Sequence, residues 1–219
     1  GSVAQIWFVR ARSARQNGLA LFSPIRSGEG SERSNMARSR TRIVLAGLVL
    51  GAALVASSCA PMAPVTSTVP SVDVSRYLGT WYEVASVKQF FSVGLYGSKA
   101  QYSLRPDGNI RVYNSGTFGG FDGPLSSIVG AAVPVDGTNA RLNVGFTGTP
   151  GKDGPGNYWI VDLDPDYQWA IVSDPTGLSG FILSRTRTVT PELRAELIQR
   201  AAAKGVNVAN LTETPQFGA

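Results

Sequence analysis

"RYLGTWYEVASV", residues 76–87, turns from a bend into an alternating strand, and its first half decides how the chain is read. On a strand, residues two apart share a face, so Trp81 and Glu83 point the same way. Gly79 just before them lets the backbone bend tightly where a side chain would clash. If this strand opens a rolled sheet, one end of that sheet needs a large apolar plug, and Trp81 supplies it. A cation stacked on the outer face of the indole would fix the plug. Arg185, near the end of the last apolar run, is placed for that.

Further along, short alternating runs separated by turn residues repeat. "SKAQYSL" (98–104) and "NIRVYNS" (109–115) flank "RPDG". "SSIVGAAV" (126–133) and "ARLNVGF" (140–146) flank "PVDGTN", an Asp-Gly turn. "NYWIVDL" (157–163) and "QWAIVSD" (168–174) flank "DPDY", and "GFILSRT" (180–186) completes eight candidate strands. These predict an all-β chain, an eight-stranded up-and-down antiparallel barrel over residues 73–219. One helix follows: Thr190 caps it, Pro191 suits its first position, and Leu193, Leu197 and Ala201 form a stripe that would pack outside the barrel. "VNVANL" (206–211) would then add at an edge.

The formal charge of +5 divides unevenly. Residues 1–72 hold eight of the 20 basic residues and two of the 15 acidic ones, leaving 12 against 13 for the barrel. No basic stripe interleaved with aromatics survives, which removes nucleic acid as a partner. The chain has no histidine and one cysteine, Cys59. A Ser-His-Asp triad and haem ligation by imidazole are therefore excluded, and no enzyme activity or cofactor is expected. Asp162, Asp164 and Asp166 flank a hairpin turn without the loop length or closing glutamate of an EF-hand, so no metal site is expected.

The leader has its own logic. Residues 1–35 precede Met36, show no pattern, and are expected to be an upstream extension outside the mature protein. From Met36, Arg38, Arg40 and Arg42 precede an apolar run over residues 43–55, which fits a secretory signal (36–58) and is too short for a membrane span. "VASSC" ends it. This stretch resembles the lipobox of bacterial lipoproteins, which implies cleavage before Cys59 and acyl chains on its sulfur; the alternative is an ordinary signal peptide beside an incidental thiol. More than one chain gives durable membrane anchoring. Residues 59–72, rich in Pro, Ser, Thr and Val, read as a flexible tether. Ala60 lacks the aspartate of a retention signal, so the resemblance implies the outer membrane in a two-membrane bacterium, and otherwise the outer face of the cytoplasmic membrane.

"GTWYEVA", "VSDP" and "ILSRT", in that order, resemble the three signatures of the lipocalins, most nearly the branch of bacterial outer-membrane lipoproteins and apolipoprotein D. The resemblance covers residues 72–217. It implies a cup that binds a fatty acid or a lysophospholipid, with Gly79, Trp81 and Arg185 as purely structural residues of the closed end. A barrel serving as a platform for protein partners, or acting on a bound lipid, is the alternative; a homodimer stays open.

Alternation assigns the cavity wall: Ala100, Tyr102 and Leu104; Ile110, Val112 and Asn114; Leu142, Val144 and Phe146; Phe181 and Leu183; with Glu83 beside Trp81. The runs at 157–163 and 168–174 are apolar on both faces, so parity cannot choose there. The resemblance favours Tyr158, Ile160, Trp169 and Ile171 inside. Phe90, Phe91, Leu95 and Tyr96 load the first long loop with apolar side chains, read either as a lid or membrane contact, or as filling that folds onto the barrel.

Overall fold

The computed structural model describes residues 64–65, 67–88 and 92–218. The leader, Cys59, Phe90 and Phe91 lie outside the described residues. A short helix α1 (Val74–Tyr77) leads into β1 (Gly79–Val87), and β2 (Leu95–Leu104), β3 (Ile110–Phe118) and β4 (Leu125–Pro134) are the long walls. The shorter strands β5 (Arg141–Gly145), β6 (Tyr158–Leu163), β7 (Trp169–Ser173) and β8 (Gly180–Ser184) follow, then helix α2 (Pro191–Ala203) and a last strand β9 (Leu211–Glu213). Each strand from β2 to β8 pairs antiparallel with its chain neighbour, β8 returns to β1, and β1 pairs with β2. The result is a closed eight-stranded up-and-down barrel with one helix outside it. The turns at 105–109, 135–140 and 164–168 lie at the closed end; residues 92–94 and the connections at 119–124, 146–157 and 174–179 ring the mouth.

Two apolar clusters divide the interior from the helix seat. Trp81, Val112, Leu142, Tyr158, Ile160, Ala170, Val172 and Leu183 pack inside the barrel. Val84, Val161, Ile171 and Ile182 on the outer face meet Leu197 and Ala201 of α2. Thr190 Oγ1 accepts the Leu193 N–H at 3.2 Å to start that helix.

The wall has two weak seams, and side chains close both. β5 and β6 share only two ladder pairs, Arg141 with Trp159 and Leu142 with Tyr158. Beyond them the Asn157 carboxamide accepts from Val144 N at 2.8 Å and donates to Val144 O at 3.0 Å, standing in for a ladder rung. β1 and β2 pair only from Gly79 to Tyr82, then splay apart. The C-terminal tail fills that gap. β9 pairs with the upper half of β1, Thr214 N donates to Val84 O, and Gly97 N on β2 donates to Pro215 O. The Gln216 amide donates to Glu83 O at 2.9 Å and to Ser98 O at 2.8 Å, joining the two strands. Gly97 is required here: its φ is +61°, and an added Cβ would stand 2.5 Å from the Phe217 ring. The edge segment expected at 206–211 is thus corrected to 211–213, and its role is to complete the wall.

The tether expectation also needs correction. Val65 and Val72 are buried, Val69 N donates to Ile160 O at 2.9 Å, and Val72 N donates to Thr138 O at 2.8 Å. Residues 69–72 are docked along the barrel: Val69 and Val72 pack against the inner cluster, and Val65 joins the cluster beneath α2.

Candidate functional site

At the closed end Asp73 Oδ1 accepts the Ser75 and Arg76 N–H groups, starting α1 and delivering Tyr77 beneath the barrel. Gly79 has φ +95°, and a Cβ there would lie 3.3 Å from Arg185 Nη1. Trp81 is fully buried, and its Nε1 donates to Tyr77 O at 2.8 Å. The Arg185 guanidinium stacks 3.8 Å from the centre of the indole. It donates to the carbonyls of Thr80 (2.9 Å), Arg76 (2.6 Å) and Tyr167 (3.2 Å). Three carbonyls and a π face fix this cation in place and tie α1, β1 and the 164–168 turn together at the floor.

Above the indole lies a layer of three tyrosines. Tyr77 and Tyr158 share a hydrogen bond of 2.9 Å, and Tyr158 and Tyr102 one of 3.0 Å. Burial pushes the Tyr77 and Tyr158 hydroxyls well above the usual phenol range, with repulsion from Tyr102 adding to it. Burial pushes Tyr102 up to about 12, against a partly compensating hydrogen bond from Tyr158. Because the folded-state values are raised, this layer's contribution to stability is complete below pH 10 and is lost as the pH rises from there toward 12. Urea unfolding at about pH 8 and about pH 11 should show the loss, and Tyr158→Phe should reduce it. Equal pH sensitivity in the variant would show that these hydroxyls are not the cause.

Over this floor opens a cavity of about 1060 Å³ of unfilled space, counting the part continuous with solvent at the mouth. Ala100, Tyr102, Ile110, Val112 and Asn114 line one side. Leu142, Val144, Phe146, Tyr158, Phe181 and Leu183 line the other. Glu83 borders it higher up, held by an ion pair of 2.6 Å with Lys88 and by hydroxyls of Ser86 and Thr214. Its carboxylate is therefore a fastening for the C-terminal tail as well as part of the lining. Asn114 sits mid-wall opposite Ala100, and its Oδ1 is buried with no hydrogen-bond partner.

Four assignments from alternation or resemblance change. Leu104 stands on the last rung before the 105–109 turn, past the floor, and is 60% exposed. Ile160 is buried in the inner cluster below the cavity and does not line it. Trp169 and Ile171 face outward into the seat of α2, where Arg200 lies 5.2 Å over the Trp169 ring. Ala170 and Val172 take the inner face instead, because β7 pairs Ala170 with Leu183 and Val172 with Phe181, and paired residues share a face. With Phe181 and Leu183 inside, this register excludes Trp169 and Ile171 from the inner face. Tyr77, Val87, Leu95, Ser98 and Ala132 also line the cavity. Bulges at Glu83/Ala85 and Tyr96/Lys99 shift parity near the mouth, which alternation could not foresee.

The lipocalin-like domain family matches residues 72–216, the span from the docked Val72 to the seam-closing Gln216. The chain belongs to the lipocalin family. This lipocalin is 35% identical over 178 residues to the outer membrane lipoprotein Blc of Escherichia coli K12, covering 80% of this chain and 97% of that one. It is 35% identical to temperature-induced lipocalin-1 of Arabidopsis thaliana, over 68% of this chain and 81% of the relative. To mouse apolipoprotein D it is 30% identical, over 66% and 77%. Among solved structures, insecticyanin of the tobacco hornworm Manduca sexta shares the fold with a TM-score of 0.51 at 15% identity, over 71% of this chain and 86% of that one.

Proposed function

We propose that this lipocalin is a membrane-anchored carrier that binds and stores or transports an acyl lipid, a fatty acid or a lysophospholipid, in the cell envelope. The observation that carries the reading is the open, largely apolar cavity above a locked floor. Its walls fit a hydrocarbon tail, and its open mouth leaves room for a polar head. Cys59 in its lipobox-like setting supplies the acyl anchor, and relatives named as outer membrane lipoproteins support an envelope location. The buried groups of the cavity are hydroxyls, an amide and a fastened carboxylate, a set that suits binding without catalysis. Native mass spectrometry of the mature protein with palmitate and lysophosphatidylcholine tests the proposal. A one-to-one complex near micromolar concentration is expected, and absence of binding by every acyl ligand would end it. Trp169, outside the barrel, cannot serve as a fluorescent reporter of this event.

A further inference from the structure

The described residues include eight exposed large apolar side chains, and six of them stand at one end of the barrel. Val93 follows β1, Phe118 and Leu125 bound the β3–β4 connection, Phe121 lies within it, Leu178 lies between β7 and β8, and Phe217 ends the C-terminal tail. Several touch. Phe118 covers Gly94, the Phe121 and Phe217 rings stand 4.5 Å apart, and Tyr96 meets Phe121 edge-on at 5.2 Å. Leu125, beside them at the start of β4, is 68% exposed, and Leu178, between β7 and β8, is 59% exposed. Apolar side chains gathered like this mark a contact surface.

Charge is sparse on this rim. In the connections at 119–124, 146–157 and 174–179 the ionisable residues are Asp122, Lys152, Asp153 and the buried Asp174. Nothing there demands an ionic partner, and little there resists transfer to a nonpolar one.

The course of the N-terminal segment selects the occupant. Val72 is tied to Thr138 at the closed end, Val69 to Ile160 partway up, and Val65 packs in the outer cluster with Val206. Val206 belongs to the mouth end: an added Cβ on Gly180, where β8 begins, would strike it, and Asn207 N bonds Gly177 O in the β7–β8 connection. The segment therefore climbs away from the floor, in the direction of the mouth, as it is followed back from Val72 to Val65. Pro64 follows Cys59 by five positions, a span of at most about 18 Å.

We propose that the mouth of the barrel docks on a lipid bilayer, with Val93, Phe118, Phe121, Leu125, Leu178 and Phe217 seated among the headgroups. The proposal rests on the lipid-carrier reading and adds an orientation: the cavity opens toward the membrane. An acyl chain then passes between bilayer and cup without crossing water, and the anchor and the rim act on the same surface. Contact of this kind is apolar, so added salt leaves it in place.

The test uses the full mature protein on phosphatidylcholine–phosphatidylethanolamine vesicles. A polarity-sensitive dye is attached at Leu125→Cys, at Leu178→Cys, or at Leu104→Cys on the exposed closed end. Both rim dyes are expected to shift to the blue and to be quenched by nitroxide lipids, in low and high salt alike, while the dye at position 104 stays aqueous. Equal lipid quenching at all three sites, or none at the rim, overturns the proposal. A rim dye shielded from water yet untouched by nitroxide lipids, with a doubled mass in solution, assigns the rim to a homodimer and also overturns it. Palmitate binding measured without vesicles separates the two claims. Binding with an aqueous rim removes the docking alone; a lipid-quenched rim without acyl binding removes the carrier reading alone.

Discussion

Trp81→Ala lowers the unfolding free energy by about 3–5 kcal/mol, the cost of deleting a large buried aromatic. For a domain of this size that is a fall in Tm of roughly 6–20 °C. The indole is fully buried between Tyr77 and Arg185, so its removal leaves a void bounded by the tyrosine layer and a charged guanidinium. Arg185 cannot collapse into that void without breaking its bonds to Thr80, Arg76 and Tyr167. Trp159→Ala provides the contrast, because that indole lies partly exposed on the outer wall. Urea unfolding followed by circular dichroism measures both. A loss below about 1 kcal/mol for Trp81→Ala would mean the floor does not depend on its plug.

Ala132→Trp is expected to weaken palmitate binding by about a hundredfold, with circular dichroism checking that the barrel still forms. Ala132 lines the cavity on β4 between Ile110 and Val144, so the new indole projects from the wall into the cup. It occupies room that a chain would fill with about four methylenes. At about 0.8 kcal/mol each these account for about 3 kcal/mol, near a hundredfold in affinity. Val129→Trp, on the exposed outer face of the same strand, should bind as the parent does. Equal affinity in both variants would remove the lipid from the cup.

Much of this architecture was legible in the residues. Turn chemistry at "RPDG" and "PVDGTN" marked the first hairpins, and Thr190-Pro191 marked the start of α2, because these signals are local. The floor was legible as well, since Gly79, Trp81 and Arg185 each have one physical reason to be where they are. The faces of β6 and β7 were not. α2 buries their outer side as fully as the barrel buries the inner one, so both faces are apolar and period-two reading has no contrast to work with. Leu104 failed for another reason: alternation knows a strand's face but not where the wall ends. The tail at 214–217 carries no strand signal, and its work at the seam depends on the splaying of β1 from β2, a property of the closed sheet alone.

That seam has a consequence for biogenesis. The gap between β1 and β2 is sealed by Gln216, which bonds Glu83 from 133 residues further along the chain. The edge of β1 must therefore wait for that distant segment before it is covered. A nascent chain emerging from the ribosome can form hairpins, but it cannot finish the cylinder until residues 211–217 have been made. Contacts of such sequence separation form late and slowly. Until then the polypeptide stays an open, threadable ribbon.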